Sequence, residues 1–482
     1  GMLATDECFH AAVAEWIQRH RALPVELPEF YSGLFYYYPP LFHLAGAAWV
    51  GAFGTGAWLA LPVALATMLF ATLVTGVFGS VPGRAGRWAA ALLLVHPAIT
   101  GMSVRLYVEP LITLLFVWAV ALLFRARAGE RTGTALLLGF VMGLTLLAKL
   151  NAWTLWIGIA ITAAWDALRG RRVRAVRLAT ACALALAIAL PWLVRNQMLF
   201  GSAFYPAFAP DLEPRLYALN AARFSTPPAE FLATLPRVVG PVLLTLAVAA
   251  FGCALVRRCW SLRESAIAGA LLAMVVTAFI PFAAARHLNP LIAVVALLSA
   301  WGVAEALEAR PLARLGTGLA VLGVALHGLA TLPDRRKPAD PPPFLREALP
   351  QVAIHTPANA RILSLWTYDT FYVTRRAATW PIPWGQRSRP LAMFFAADPD
   401  SILTHLRESD ITHVLAPTRV LAGPFDSANY PEAFIRGLAA LERKGAIHLA
   451  WQSQDLALLT VSPPAPKPDT LPPAPTSRRR PG

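Results

Sequence analysis

The chain has 482 residues, 57% of them hydrophobic and only 14% charged, with a formal net charge of +15. Soluble globular proteins carry about a quarter charged residues, and here the apolar residues gather into runs near the roughly 20 that cross a bilayer, which excludes a soluble globular fold. Arginines recur in short clusters between those runs, not on one face, so the basic balance reports membrane topology and not nucleic-acid binding.

The chain starts "GMLATDECFH", without the basic start and apolar core of a signal peptide. Phe9, Ala12, Val13, Trp16 and Ile17 repeat at helical spacing and predict an amphipathic helix lying on a membrane surface. Asp6 and His10, one turn apart, fall together at an edge of its apolar stripe, with Glu7 rotated away. "FYSGLFYYYPP" (30–40), which contains Tyr37 and Tyr38, supplies either interfacial belt aromatics or a platform for a sugar ring. "PLFHLAGAAWVGAFG" (40–54) would make a helix only about 22 Å long, so it is expected to be interfacial or re-entrant.

About ten spans follow, at 57–80, 87–105, 110–126, 134–149, 151–168, 177–194, 237–256, 266–283, 288–306 and 314–332. Arginine clusters near residues 84–87, 125–131, 169–177, 257–263 and 310–314 occupy every second turn, which the positive-inside rule makes cytoplasmic. The alternate turns and both chain ends then face outward. An outward first residue without a signal peptide leads to the expectation that a preceding span is missing from the sequence. The four cysteines, Cys8, Cys182, Cys253 and Cys259, have no metal-ligand spacing and form no disulfide framework.

Past residue 332 the composition changes. The expected organisation is a membrane domain (1–332), a Pro-rich linker (333–344), an external α/β domain (345–462) and a disordered tail (463–482). In the α/β domain "ARILSLWTY" and "ITHVLAP" read as buried strands, "DPDSILTHLRES" and "AFIRGLAALERKG" as helices, and "HLAWQSQDLALLTVS" as a closing hairpin.

This topology gathers Asp6, Glu7, His10, Arg105, Glu109, Lys149, Asn151, Arg195, Asn196, Arg286 and His287 at the outer membrane boundary. Acids and bases from separate segments meeting at one surface suit an active site there. Each also has a plainer reading. Asp6 and Glu109 start helices and suit the dipole, Glu109 has Arg105 nearby as a partner, and Lys149 can snorkel. Lys149 is nevertheless the only lysine before Lys337, and Arg195 and Arg286 stand on the side where arginine is disfavoured. Cations at that depth suit a lipid phosphate.

In order, these segments resemble the GT-C integral-membrane glycosyltransferases, in particular glycosyltransferase family 39 and the aminoarabinose-transferase-like proteins with an RgtA/B/C/D-like domain. The pieces are "TDECFHAAVAEWI" for the Asp-Glu motif, "YYYPPLFHLAGAAWVGAFG" for the Pro-Pro-Leu helix and Glu109-Pro110 for the second acidic turn. "GFVMGLTLLAKLNAW", "LPWLVRNQMLFGSAFYP" and "RHLNPLIAVVALL" complete the set. The resemblance implies a polytopic GT-C fold that moves a sugar from a polyprenyl-phosphate donor to an outer-face acceptor (glycolipid, polysaccharide or protein) at a bacterial inner membrane. It makes Asp6 the catalytic carboxylate, Glu109 the second acid, and Arg105, Lys149, Arg195 and Arg286, with His287 beside them, the phosphate ligands. Glu7, His10, Tyr37 and Tyr38 are acceptor or metal contacts on this reading, and a divalent metal ion stays an open cofactor. One departure stands out: aminoarabinose transferases carry Glu-Lys before the Pro-Pro, where this chain has Tyr37 and Tyr38.

Two other classes stay open. A lipid or saccharide transporter would place its ionisable groups near the midplane on broken helices. A non-catalytic envelope-assembly protein would not need Asp6 or Glu109.

Overall fold

The structure, a computed structural model, describes residues 6–27, 29–76, 83–128, 131–149, 152–205, 227–256, 258, 260–279, 285–307, 311–330, 343–379, 398–418 and 430–463. The expected linker up to 342, the tail from 464, Asn151 and Cys259 lie outside them. The chain divides into two compact units. The first holds the described residues up to Leu27 and those from Phe35 to Ala330; the second holds 29–34 and those from Pro343 onward.

In the first unit α1 (Asp6–His20) carries Asp6 and Glu7 in its first turn and Arg19 and His20 in its last, which matches the helix dipole. Every residue from Glu7 to Glu15 is buried, so α1 is not a helix lying on a surface. The apolar stripe was read correctly, but the polar face is covered too, because its acids find partners. Glu15 accepts from the Trp58 indole N–H at 3.3 Å. Helix α2 (Leu41–Phe53) packs closely along α1, and a Cβ on Gly46 would stand 3.0 Å from the Ala14 Cβ.

Next come α3 (Ala60–Thr75), α4 (Gly83–Val95) and α5 (Pro97–Met102), the last two separated at His96-Pro97, where proline cannot continue the ladder. His96 caps α5, accepting from the Ala98 N–H at 3.3 Å. Then follow α6 (Glu109–Ala128), α7 (Thr132–Ala148), α8 (Trp153–Leu168) and α9 (Arg172–Phe200). Helices α10 (Pro228–Val239) and α11 (Pro241–Val256) meet at 83° across Gly240, whose φ of 89° suits only glycine without strain. The unit closes with α12 (Leu262–Thr277), α13 (Asn289–Leu307) and α14 (Pro311–Ala330).

Within the described residues each expected span falls largely on helix, two of them (87–105 and 237–256) on a broken pair, while 77–80, 280–283 and 331–332 lie outside the described residues; length trims the count further. Among the described residues three helices are long and apolar enough to cross a membrane, at 109–128, 172–200 and 285–305, with a fourth if the bent pair is one span. Apart from α14, the remaining helices have 17 residues or fewer: a 16-residue helix is about 24 Å long, less than the roughly 30 Å hydrocarbon core. Ten crossings is therefore more than these helices establish.

Helices α7 and α9 approach closely through Gly139 and Gly143, one turn apart. A Cβ on Gly139 would lie 2.6 Å from the Ala181 carbonyl oxygen, and one on Gly143 2.7 Å from the Ile188 Cβ. Small residues at this spacing let helix backbones touch. At the far end of α6, Arg127 donates through Nε and Nη2 to the two oxygens of the fully buried Asp166, both at 2.9 Å, tying α6 to α8.

The second unit contains α15 (Pro343–Ile354), β3 (Arg361–Ser364), α16 (Thr367–Thr374), β4 (Ala377–Thr379), α17 (Pro399–Glu408), β5 (His413–Pro417), α18 (Glu432–Arg443), β6 (Ile447–Gln452) and β7 (Leu456–Val461). Here β1 and β2 are the short strands Glu26–Leu27 and Tyr31–Phe35 that precede α2. The sheet runs β4-β3-β5-β7-β6, with β4, β3 and β5 parallel and β7 antiparallel to both β5 and β6. Alternate residues of β3 and β5 face two cores. Leu363 and Val414 pack with Ile402, Phe434 and Leu438 of α17 and α18, while Ile362 and Leu415 pack with Leu345 and Leu349 of α15. Strands covered on both faces read as unbroken apolar runs.

Candidate functional site

Three helix ends bring ionised groups together. Asp6 lies in the first turn of α1, and Glu109 opens α6 with Pro110 behind it. Lys149 follows the last residue of α7 in extended conformation, its N–H bonded to the Thr145 carbonyl. Acids at helix starts and a cation at a helix end each suit the local dipole. Arg286 comes from the 3₁₀ turn Ala285–Leu288 that leads into α13.

Arg286 joins the two acids. Its Nη1 is 3.0 Å from the Asp6 carboxylate and its Nε 3.7 Å from Glu109, while Lys149 Nζ donates to Glu109 at 2.8 Å. Glu109 is only 2% exposed, whereas Asp6 and Arg286 remain about one-third open. Two negative and two positive charges thus balance in one cluster, which is what tolerating largely buried ions requires. The Arg286 guanidinium also lies over the Tyr107 ring at 5.0 Å. His287 is within electrostatic reach of Glu109 and Lys149.

Two pairings differ from expectation. Arg105 does not pair with Glu109; it stands 3.9 Å from Glu7, which also accepts the Leu106 N–H at 2.8 Å. Glu7 is therefore not rotated out of the site region but buried as a brace between α1 and the segment before α6. Arg195 is not with the other cations either. It donates to the carbonyls of Tyr36 (3.0 Å) and Pro24 (2.8 Å) and lies over the Trp192 ring at 4.4 Å, so its N–H groups hold the chain that carries the tyrosines. Asn196 accepts from Arg195 at 3.3 Å.

Tyr37 and Tyr38 stack on each other at 4.8 Å, and Tyr38 meets the His10 ring edge-on at 5.8 Å. The aromatic run is divided between the units: Tyr36 to Tyr38 belong to the first, while Phe30 stacks on Phe371 at 4.5 Å inside the second.

His10 shows a chain that the sequence reading missed. Its Nδ1 is 2.8 Å from His43 Nε2, and His43 Nδ1 is 2.7 Å from the Tyr36 hydroxyl. Burial pushes His10 down to about 4 against the opposing pull of Asp6 and Glu109, and burial also holds His43 well below the usual imidazole range. Both rings are thus neutral at pH 7. Tyr107 is pushed up, first by burial and then by Asp6. A polar His43 within an otherwise apolar stretch was the available signal; nothing local marks Tyr36 or Tyr107.

Among the described residues no three His, Cys, Asp or Glu side chains come together as a metal-ligand set. Each acid of the cluster is already matched by a cation, so the donor set does not fit a metal site.

No family model and no curated protein matches the sequence. Solved structures do match. The crystal structure of ArnT from Cupriavidus metallidurans in the apo state superposes with a TM-score of 0.64 at 14% identity, covering 95% of this chain and 93% of that one. The same protein bound to undecaprenyl phosphate gives 0.63 at 15% identity, covering 95% and 94%. The oligosaccharyltransferase AglB from Archaeoglobus fulgidus, in complex with an inhibitory peptide and a dolichol-phosphate, gives 0.62 at 14%, covering 86% of this chain and 66% of that one. The fold is that of the GT-C glycosyltransferases.

Proposed function

We propose that this chain is a membrane glycosyltransferase that moves a sugar from a polyprenyl-phosphate donor to an acceptor hydroxyl, with Asp6 as base. The observation that carries this reading is the Asp6–Arg286–Glu109–Lys149 cluster, in a fold shared with an enzyme solved with undecaprenyl phosphate.

The partly open Asp6 carboxylate takes the acceptor proton as the acceptor oxygen attacks the anomeric carbon. The bond from that carbon to the phosphate oxygen breaks, and its electron pair leaves on polyprenyl phosphate. Arg286 has N–H groups beyond those that face Asp6 and Glu109, and Lys149 has three donors, so both can meet the departing phosphate. Glu109 holds these cations in place; buried between them, it is a positioning residue. Arg105 and Arg195 brace the fold around the site. On this reading the cluster lies on the outer face of a bacterial inner membrane. The alternating arginine clusters support this orientation.

The test is a reconstitution. Purified protein supplied with polyprenyl-phosphate sugars should transfer sugar to an outer-surface acceptor and leave polyprenyl phosphate, whereas Asp6→Asn, equally well folded, should lose at least about a hundredfold in rate. Nucleotide sugars serving as direct donors, or near-normal turnover by the variant, would defeat the proposal.

A further inference from the structure

Tyr36 is fully buried, and among the described residues its hydroxyl has one partner, His43 Nδ1. A buried phenolic proton without an acceptor is costly, so Tyr36 donates and His43 Nδ1 accepts. A neutral imidazole carries one N–H, which places the His43 proton on Nε2, where it donates to His10 Nδ1. His10 must then carry its own proton on Nε2. That nitrogen has no hydrogen-bond partner among the described residues, although His10 is only 6% exposed.

The surroundings say what it serves. Asp6 is one turn away on the same helix, and Asp6, Glu109, Arg286 and Lys149 all act electrostatically on His10. The aromatic rings of Tyr38 and Tyr107 border it at 5.8 and 6.3 Å. Burial keeps the ring neutral, so it adds a donor to the cluster without adding charge.

We propose that Tyr36 and His43 lock His10 into the Nε2–H tautomer, and that this N–H is a donor to the phosphate bound beside Arg286 and Lys149. His10 is thus an uncharged member of the phosphate site and is not the base for the acceptor. Tyr36 and His43 are positioning residues that act through it. The inference rests on the phosphate-binding reading of the site.

The experiment uses the full chain in detergent, labelled with ¹⁵N-histidine, and two probes: undecaprenyl phosphate and inorganic phosphate. At pH 7 the His10 resonance should be that of the Nε2–H form, and Tyr36→Phe should abolish that preference. His10→Leu should weaken undecaprenyl phosphate binding roughly tenfold or more, and His10→Gln, which keeps an N–H donor, should recover most of it. The same dependence for inorganic phosphate would show that the phosphate group itself is read; dependence for the lipid alone would show that the headgroup is read in its membrane setting. Wild-type protein that binds, with His10→Leu binding equally well, would overturn this inference alone, as would a proton found on Nδ1. Wild-type protein that binds neither probe would remove the phosphate reading itself, and this role with it.

Discussion

Replacing Lys149 by Met keeps the bulk of the side chain and removes its charge, leaving Glu109 with Arg286 at 3.7 Å as its remaining cation among the described residues. Glu109 is 2% exposed and cannot recover solvation from water. Stranding a buried charge costs about 3–5 kcal/mol. Because Arg286 stays, about 2–3 kcal/mol is expected for Lys149→Met. Glu109→Gln should cost less, about 1–2 kcal/mol, because the Lys149 head is about one-quarter open and can turn to water. The double variant removes the pair as a unit and should recover about 1–2 kcal/mol relative to the sum of the singles. Unfolding of the detergent-solubilised protein, followed for wild type, both singles and the double, reads this directly. Additive losses would mean that the 2.8 Å contact is not an energetic pair, and the account of the cluster as charge-balanced would fail.

Three further outcomes are expected. Arg127→Met leaves the fully buried Asp166 with Arg171 at 3.5 Å as its remaining cation among the described residues, so unfolding stability should drop by about 3 kcal/mol while the proposed sugar transfer per folded molecule is unchanged; equal stability would refute the tie between α6 and α8. Gly139→Leu forces side-chain atoms onto the Ala181 carbonyl and should cost at least about 2 kcal/mol, whereas Gly133→Ala, with nothing within 4 Å, should leave the midpoint within a degree or so. His10 has a folded-state pKa near 4 against 6.5 for the free group, so below pH 6.5 the unfolded chain gains a proton that the folded one does not. Stability is therefore fully present above about pH 6.5 and falls by up to roughly 3 kcal/mol on the way to pH 4. His10→Gln should flatten that slope, and an unchanged slope would count against a buried neutral ring.

The sequence made the architecture of the second unit readable because its signals are local. Apolar runs at β3 and β5, an Asp398-Pro399 helix start, and alternation in the last hairpin each reflect a strand or helix by itself. Helices in the first unit were equally legible, while their ability to span was not: apolarity marks a segment, but proline breaks such as His96-Pro97 and the bend at Gly240 set its length. The site divided in the same way. Asp6, Glu109, Lys149 and Arg286 are costly residues in apolar context, and cost shows in the sequence. Their partners do not show, because pairing depends on how helix ends are arranged in space. Arg105 is four residues from Glu109 yet pairs with Glu7, while Glu109 takes a lysine 40 residues away. Tyr36 and His43 escaped notice for a related reason: each looks like part of an aromatic or apolar run until the hydrogen bonds are seen.

The exchange of partners has a consequence for how the acids act. Had Arg105 neutralised Glu109, Asp6 and Glu109 would be independent groups, each with its own cation. Instead one guanidinium lies between them, so a change of charge at either acid alters the field on the other through Arg286. In the mechanism proposed above, protonation of Asp6 removes the attraction of Arg286's nearest anion and frees the guanidinium to turn toward a departing phosphate. Glu109, held by Lys149 at 2.8 Å, keeps the arginine from leaving altogether. The proposed proton uptake by Asp6 and stabilisation of the leaving group would then be coupled through one side chain. Lysine at 286 would keep the charge but could not span two carboxylates and a phosphate together. Retention of the positive charge alone is thus insufficient for the chemistry proposed here.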